Sequence, residues 1–324
     1  MNILITGGAG FIGSNIIETL IQQDTVSLVR VLDNLETGYF HNLKPFQNHP
    51  KFEWVEGDIR DFDTCLKASD KIDLTCHQAA LGSVPRSISD PLKTNDINIT
   101  GTLNIFYAAK EKNIKRVVYA ASSSTYGDSK KLPKVENKIG NPLSPYAVTK
   151  LVNELYANVF SSLYNIEFIG LRYFNVFGPN QSPNGAYAAV VPLFMQALLE
   201  GKSPTINGDG LQSRDFTYVS NAVQANVKAL FTTNKKAVNQ VYNVAVGDQT
   251  TLVDMFNILK DIAQSDVNAT FGPARMGDIK HSLADISKAK KRLDYNPTIN
   301  IKQGLKLAFD WYKTNLAKQK ELVI

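Results

Sequence analysis

Tyr146 and Lys150 stand four residues apart in Pro145-Tyr146-Ala147-Val148-Thr149-Lys150, at a point where a helix should begin. On a helix that spacing puts both side chains on one face, roughly 6 Å apart along the axis. A free phenol has a pKa of about 10, so about one molecule in a thousand is ionised at pH 7. A neighbouring ammonium favours the phenolate and is expected to bring that pKa toward the working range. Upstream, Ser122-Ser123-Ser124-Thr125-Tyr126-Gly127 supplies hydroxyl groups that could hold a substrate hydroxyl against the phenol. Ser122 and Ser124 share a side if the strand before them continues. The chemistry these residues could perform is proton transfer to and from a hydroxyl.

The elements that must position them alternate strand and helix. Asn2–Thr6 reads as a strand that ends in Gly7-Gly8-Ala9-Gly10-Phe11-Ile12-Gly13, and a helical pattern follows. Glycines that close a strand and open a helix let backbone N–H groups face a pyrophosphate. The second strand, Ser27–Leu32, ends at Asp33, twenty residues past Gly13, where an acid binds adenosine ribose hydroxyls. An acid there repels a 2′-phosphate and no Arg follows it, so NAD is expected over NADP. Further strands are expected at 52–55, 74–77, 115–121 and 167–172, with helices near 61–68, 93–112 and 145–163 and a loop at 81–91. On the helix after Pro145, Val148, Leu151, Val152, Leu155 and Val159 are the expected packing residues. The pattern predicts an α/β fold with a Rossmann-type doubly wound parallel sheet. It would bring the glycines, Asp33, Ala79–Leu81 and the serines to one sheet edge. After Tyr173 the texture changes to Pro/Asn/Gly-rich loops, short strands and helices. Residues 1–173 are therefore read as a dinucleotide-binding domain. Residues 174–324 are read mainly as a smaller α+β substrate domain, with some segments returning to the first.

Composition narrows the alternatives. The chain has 324 residues, 44% hydrophobic and 20% charged, which is ordinary for a globular protein. A net charge of +5 with interspersed signs gives no nucleic-acid footprint. Cys65 and Cys76 form no disulfide framework, and His41, His49, His77 and His281 form no ligand pattern, so no metal is expected. No stretch approaches a membrane span, and Met1 leads directly into a strand, so the expectation is a cytoplasmic protein.

Together these features closely resemble the extended short-chain dehydrogenase/reductase family over essentially the whole chain. The marks are the glycine run, Gly57-Asp58-Ile59-Arg60, the serines with Tyr126-Gly127, the Tyr146/Lys150 pair and Arg172-Tyr173-Phe174-Asn175-Val176-Phe177-Gly178. Within it the chain looks like a UDP-hexose 4-epimerase. Ala79–Ser87, Asn184–Val190 and His281–Asp285 resemble bacterial UDP-N-acetylglucosamine 4-epimerases of polysaccharide pathways such as O-antigen assembly. The resemblance implies that Tyr146 is the acid/base, that Lys150 lowers its pKa and holds the nicotinamide ribose, and that Ser122 and Ser124 position the 4-hydroxyl, with Ser123 in reach. It implies cofactor contacts at Gly7, Gly10, Phe11, Ile12, Gly13, Asp33, Asn34, Asp58, Ile59, Ala79, Ala80, Asn98, Tyr146, Lys150 and Tyr173. For substrate it implies Ser83, Val84, Asn175, Ala189, Val190, Asn207, Arg214, Arg275 and Asp278, while Phe194 and Thr205 depart from the family's larger or more polar residues. Ser282 matches the position bordering the sugar's 2-substituent, where a small residue admits an N-acetyl group, which implies UDP-GlcNAc and UDP-GalNAc as substrates with UDP-Glc and UDP-Gal as weaker ones. The helices near 93–112 and 146–163 match the pair through which relatives dimerise. Ile105, Phe106 and Leu163 are candidates for that interface, though they could equally pack on their own sheet.

The same fold and Tyr/Lys pair serve nucleotide-sugar 4,6-dehydratases and decarboxylases, which need a further carboxylate beside the serines. No Asp or Glu lies between Ala120 and Gly127. A UDP-glucuronate 4-epimerase fits more closely and would need a cation for the sugar carboxylate, a role Arg86 could fill. An NAD-binding regulatory protein that has lost catalysis is the reading from another class; such proteins usually lose the Tyr or the Lys.

Overall fold

The computed structural model describes residues 1–184, 188–274 and 280–321, with side chains described to residue 315. Seven strands make the central sheet: β1 (Asn2–Thr6), β2 (Leu28–Asp33), β3 (Phe52–Glu56), β4 (Leu74–His77), β5 (Arg116–Ser122), β6 (Glu167–Tyr173) and β7 (Gln240–Val244). All pair in parallel, in the order β7-β6-β5-β4-β1-β2-β3. A parallel sheet is covered on both faces, so its strands read as apolar runs such as Ile3-Leu4-Ile5, all fully buried. The order reverses between β1 and β4, and ligands of open α/β sheets bind outside the strand carboxyl ends at such a point.

One face of the sheet is covered by α1 (Phe11–Leu20), later helices and the first core cluster, which includes Ile16, Ile17, Val223 and Leu293. The other face carries helices Phe62–Ala68, Gly101–Glu111 and α2 (Pro145–Tyr164), over Ile105, Phe106, Ala157, Phe160 and Phe168. Helix α3 (Val219–Phe231) packs on α1 and the sheet, so β7 and α3 join the first half of the chain although they lie beyond Tyr173. A third core, with Phe177, Phe194, Met195, Phe256 and Phe309, holds the smaller lobe together.

The structure corrects three expectations. The helix expected over 93–112 is broken into Pro91–Asn95, a π-turn at Asp96–Thr100 and Gly101–Glu111, and the loop expected over 81–91 contains a helix, Val84–Ser89. Ser83 and Asp90 cap the two short helices by accepting from Arg86 N and Lys93 N. On α2 the apolar side chains Val148, Leu155 and Val159 are exposed, while Lys150, Asn153, Glu154, Ala157 and Phe160 are buried. The inversion has a cause: two of the buried polar groups meet partners in the sheet, Lys150 at Ala120 O and Glu154 at Arg172. Ile105 and Phe106 serve their own core, with Phe106 edge-on to Phe168 at 4.8 Å, while Leu163 is exposed.

Candidate active site

Two adjoining clefts open at the carboxyl edge of the sheet. The first, about 530 Å³, is lined by Gly7, Gly10, Phe11, Ile12, Gly13, Asp33, Asn34, Asp58, Ile59, Ala79, Ala80, Ser122, Ser123, Tyr146, Lys150 and Tyr173. Its floor is backbone. Gly7 has φ +71°, and a Cβ there would lie 2.6 Å from Ala79 N; a Cβ on Gly13 would lie 2.2 Å from Gly7 O. Only glycine lets β1, the turn and β4 come this close. Helix α1 begins at Gly10 with no side-chain cap and no acid in its first turn, so its N–H groups are free to face an anion. These residues fit the pyrophosphate of a dinucleotide.

At the other end of this cleft the Asp33 carboxylate accepts from Ala9 N (3.0 Å) and Leu35 N (2.8 Å); burial raises its pKa and those amides partly offset the rise. Asn34 donates to Asp58 (2.7 Å). Arg60, bonded to Asp58 at 2.6 Å, is the main cause that holds this carboxyl down at about 2. Asp33, Asp58 and Glu36 leave the rim with a net negative field although Arg60 is engaged with Asp58 and lies 3.9 Å from Glu36, and Lys93 pairs with Glu36 at 2.5 Å. That field suits ribose hydroxyls and opposes a 2′-phosphate. Asn98 is a correction: it does not line the cleft. The π-turn carries it inward, where it is fully buried, holds Leu81 N (2.8 Å) and Leu81 O (3.1 Å) and donates to Thr149 (3.2 Å). It ties the cleft wall to the first turn of α2.

The reactive groups meet at the end of β5. Ser144 caps α2 through Ala147 N, Pro145 occupies its first turn, and Tyr146 and Lys150 follow on one face. The strand ends at Ser122 and a 3₁₀ turn, Ser123–Tyr126, takes over. Ser122 and Ser124 therefore meet through the turn rather than by strand alternation: Ser122 Oγ accepts from Ser124 N (3.1 Å) and from Ser124 Oγ (2.9 Å). Ser124 does not line the cleft, so it acts on Ser122 rather than facing it. The Tyr146 pKa is raised, not lowered: burial pushes it up, and a hydrogen bond with Ser122 pulls the other way. Lys150 Nζ donates to Ala120 O (2.9 Å) and lies 5.9 Å from the Tyr146 ring centre; burial pushes its pKa down to about 8. The pair is adjacent as expected, but at Tyr146 burial outweighs the lowering hydrogen bond with Ser122.

The second cleft, about 1040 Å³, is lined by Ser83, Val84, Asn175, Ala189, Val190, Asn207 and Arg214, and shares Gly82, Asn175, Val176 and Gln181 with the first. Asn175, at the junction, has φ +36° and donates to Asp215 O (3.3 Å). Arg214 donates to Ser213 O (2.9 Å) and Lys280 O (3.3 Å). Ser282 lines neither cleft; its N–H is bonded to Ser213 O (3.0 Å), which holds its segment beside Arg214. Arg275 and Asp278 lie outside the described residues. Sequence reasoning missed Gln78, Glu36, Gly82 and Gln181 as lining residues. Gln78 and Gly82 flank the recognised alanines, and Glu36 lies three residues past Asp33, so proximity to a strand end was the available signal.

Residues 3–245 match the model of the NAD dependent epimerase/dehydratase family. The chain is 40% identical over 315 residues to a putative UDP-glucose 4-epimerase of Methanocaldococcus jannaschii, covering 97% of this chain and 99% of that one. It superposes with a TM-score of 0.91 on the UDP-N-acetylglucosamine 4-epimerase of Methanobrevibacter ruminantium M1 in complex with UDP-N-acetylmuramic acid, at 40% identity and covering 97% and 98% of the two chains. Against the UDP-glucuronic acid 4-epimerase of Bacillus cereus, in complex with UDP-glucuronic acid and NAD, the TM-score is 0.90 at 32% identity, covering 97% and 100%. With the glycine floor, the acidic ribose rim and the Tyr146/Lys150 pair in place, the chain belongs to the NAD dependent epimerase/dehydratase family and uses NAD as its cofactor.

Proposed function

We propose that this protein interconverts UDP-N-acetylglucosamine and UDP-N-acetylgalactosamine by reversible oxidation at C4. One observation carries the reaction type. The carboxylates lining the first cleft, Asp33, Glu36 and Asp58, belong to the ends of β2 and β3, while Tyr146 is accompanied by Ser122, Ser123 and Lys150. Tyr146 with these hydroxyls and an ammonium can move a proton at C4, and among the described residues lining the cleft no carboxylate stands on β5 or α2 beside it to serve elimination at C5 and C6. Bound NAD supplies the hydride acceptor and donor. Ser122 orients the sugar's 4-hydroxyl, Tyr146 takes its proton and later returns it, and Lys150 adds positive charge that favours the phenolate. The second cleft grips the diphosphate and nucleoside while the hexose presents either face at the junction by Gly82 and Asn175.

For the sugar, the N-acetylhexosamine reading is supported by the Methanobrevibacter relative and by the charges. A uronate needs a cation near C6. Among the described residues the cations lining the clefts are Lys150, Lys202 and Arg214, and Arg86 lines neither. Lys150 is committed to Ala120 O, Lys202 is solvent-exposed beside Glu200, and Arg214 donates to Ser213 O and Lys280 O. The Bacillus cereus relative keeps UDP-glucuronate as the second reading. The test is proton NMR of the purified protein with UDP-GlcNAc, UDP-Glc and UDP-glucuronate, no cofactor added. Conversion of UDP-GlcNAc with about one NAD released per chain on denaturation is expected. Conversion of UDP-glucuronate alone overturns the sugar assignment, and no conversion with NAD still present favours a regulatory protein.

A homodimer belongs to the same proposal. Leu155, Val159 and Leu163 on α2 are all more than half exposed, as are Ile88 and Leu92 on the adjoining short helices. A stripe of this kind is costly to leave in water. Light scattering should give twice the chain mass for the wild type and the chain mass for a Leu155→Glu/Leu163→Glu variant; a monomeric wild type at micromolar concentration contradicts the dimer.

A further inference from the structure

We propose that Asn226, on α3, is a positioning residue for the cofactor, acting through Tyr173 and Gln78. The inference concerns how the NAD cleft is held and does not depend on which sugar is the substrate. Asn226 is fully buried and lies far along the chain from the residues that line the first cleft. Its side chain closes a ring of hydrogen bonds with two residues that line that cleft. Asn226 Nδ2 donates to the Tyr173 hydroxyl at 2.7 Å; that hydroxyl donates to Gln78 Oε1 at 3.0 Å; Gln78 Nε2 donates back to Asn226 Oδ1 at 3.1 Å. The Tyr173 hydroxyl also lies 3.0 Å from Asn226 Oδ1, so the three side chains form one closed buried network whose bonds polarise one another. The remaining Asn226 proton goes to Ala222 O at 2.8 Å, and Cys76 Sγ approaches Oδ1 at 3.5 Å, so the amide cannot flip without losing partners.

The placement gives the ring its use. Tyr173 is the last residue of β6 and Gln78 the first beyond β4, and β5 runs between these strands to Ser122. The ring therefore bridges the two strands that flank the catalytic serine, and fixes the Tyr173 ring and the Gln78–Ala80 backbone where they line the cofactor cleft. Burial pushes the Tyr173 phenol up, so it stays a neutral donor to the network at working pH. Among the described cleft-lining residues, Gln78 and Tyr173 have no role as acid, base or charge partner in the reaction. Holding the cleft's shape before NAD arrives is what this arrangement provides.

Asn226→Asp keeps size and shape but cannot donate to Tyr173 or Ala222, so the ring opens. Tyr173→Phe opens it from the other side, keeps the ring packing and removes a single oxygen. Both variants should retain the wild-type far-UV spectrum and lose bound NAD about tenfold faster on dilution, the effect of one lost bond in a buried network. Because they break one device, the Asn226→Asp/Tyr173→Phe double variant should release NAD no faster than the worse single variant. A purely structural Asn226 would lower Tm with NAD release unchanged. NAD release within twofold of wild type in the Tyr173→Phe variant, or additive effects in the double variant, overturns the proposal. Tyr173→Phe keeps the test decisive even where Asn226→Asp fails to fold.

Discussion

Tyr146→Phe lowers kcat about a thousandfold, the middle of the range for losing a general acid/base, while leaving the fold and bound NAD in place. The phenylalanine ring fills the same space, and the cofactor-facing glycines, Asp33 and Lys150 are untouched, so KM and NAD content should move little. The size of the loss rests on the absence of a substitute. Ser122 Oγ is the nearest hydroxyl, but it already accepts from Ser124 N and Ser124 Oγ, and a serine hydroxyl is a far weaker base than a phenolate. Lys150 is turned to Ala120 O, and the nearest acids on the cleft lining are at the β2 and β3 ends. Burial raises Tyr146, so the reactive phenolate fraction grows with pH and turnover should rise through neutrality. That gain fades as pH passes about 8, where Lys150 begins to lose the charge that favours the phenolate. The check is the NMR assay on UDP-GlcNAc across pH. A variant within tenfold of the wild type shows that another group carries the proton.

The strands and the cofactor cleft were legible because a parallel sheet leaves simple marks. Buried runs such as Ile3-Leu4-Ile5 end where the backbone turns out of the sheet, and Gly7, Asp33, Asp58 and Ala79 lie at those ends or within two residues of them. The face of α2 was misread for a physical reason. Periodicity assumes that apolar residues face the core, whereas this helix spends its buried face on Lys150, Asn153 and Glu154 and leaves Val148, Leu155 and Val159 outside. The serines showed a different limit. Three successive hydroxyls do not reveal where the strand ends, and the change to a 3₁₀ turn at Ser123 leaves Ser122 and Ser123, not Ser124, lining the cleft. Asn98 and Asn226 were the hardest cases. An Asn on a helix ordinarily reads as surface, and only the π-turn in one case and the cyclic bond pattern in the other reveal buried partners.

The buried polarity of α2 leads to the second large effect. Glu154→Ala should destabilise the protein by about 3–5 kcal/mol, the cost of leaving one partner of a buried pair alone. Glu154 grips Arg172 of β6 with two bonds, Nε to Oε1 at 2.8 Å and Nη2 to Oε2 at 2.7 Å, and the side chains are 6% and 3% exposed. Arg172 also donates to Glu136 O at 3.1 Å and lies 4.8 Å above the Tyr126 ring, whose hydroxyl donates to Asn243 at 2.7 Å. Removing the carboxylate strands a guanidinium between α2 and β6 with only part of its bonding met. For a chain of this length that corresponds to a Tm lower by about 5 °C, read by calorimetry. Glu154 lies one turn beyond Lys150, so kcat should fall severalfold through loosened placement of Tyr146 and Lys150 rather than through lost chemistry. The interpretation is separable from simple loss of packing. A Glu154→Leu/Arg172→Met variant removes both charges and keeps volume, and should recover most of the lost stability, because a buried pair contributes little net compared with apolar side chains of similar size. If the double variant is as unstable as Glu154→Ala, the deficit is packing. If Glu154→Ala shifts Tm by less than a degree, Arg172 finds water or another partner, and the pair does not anchor the helix that carries Tyr146.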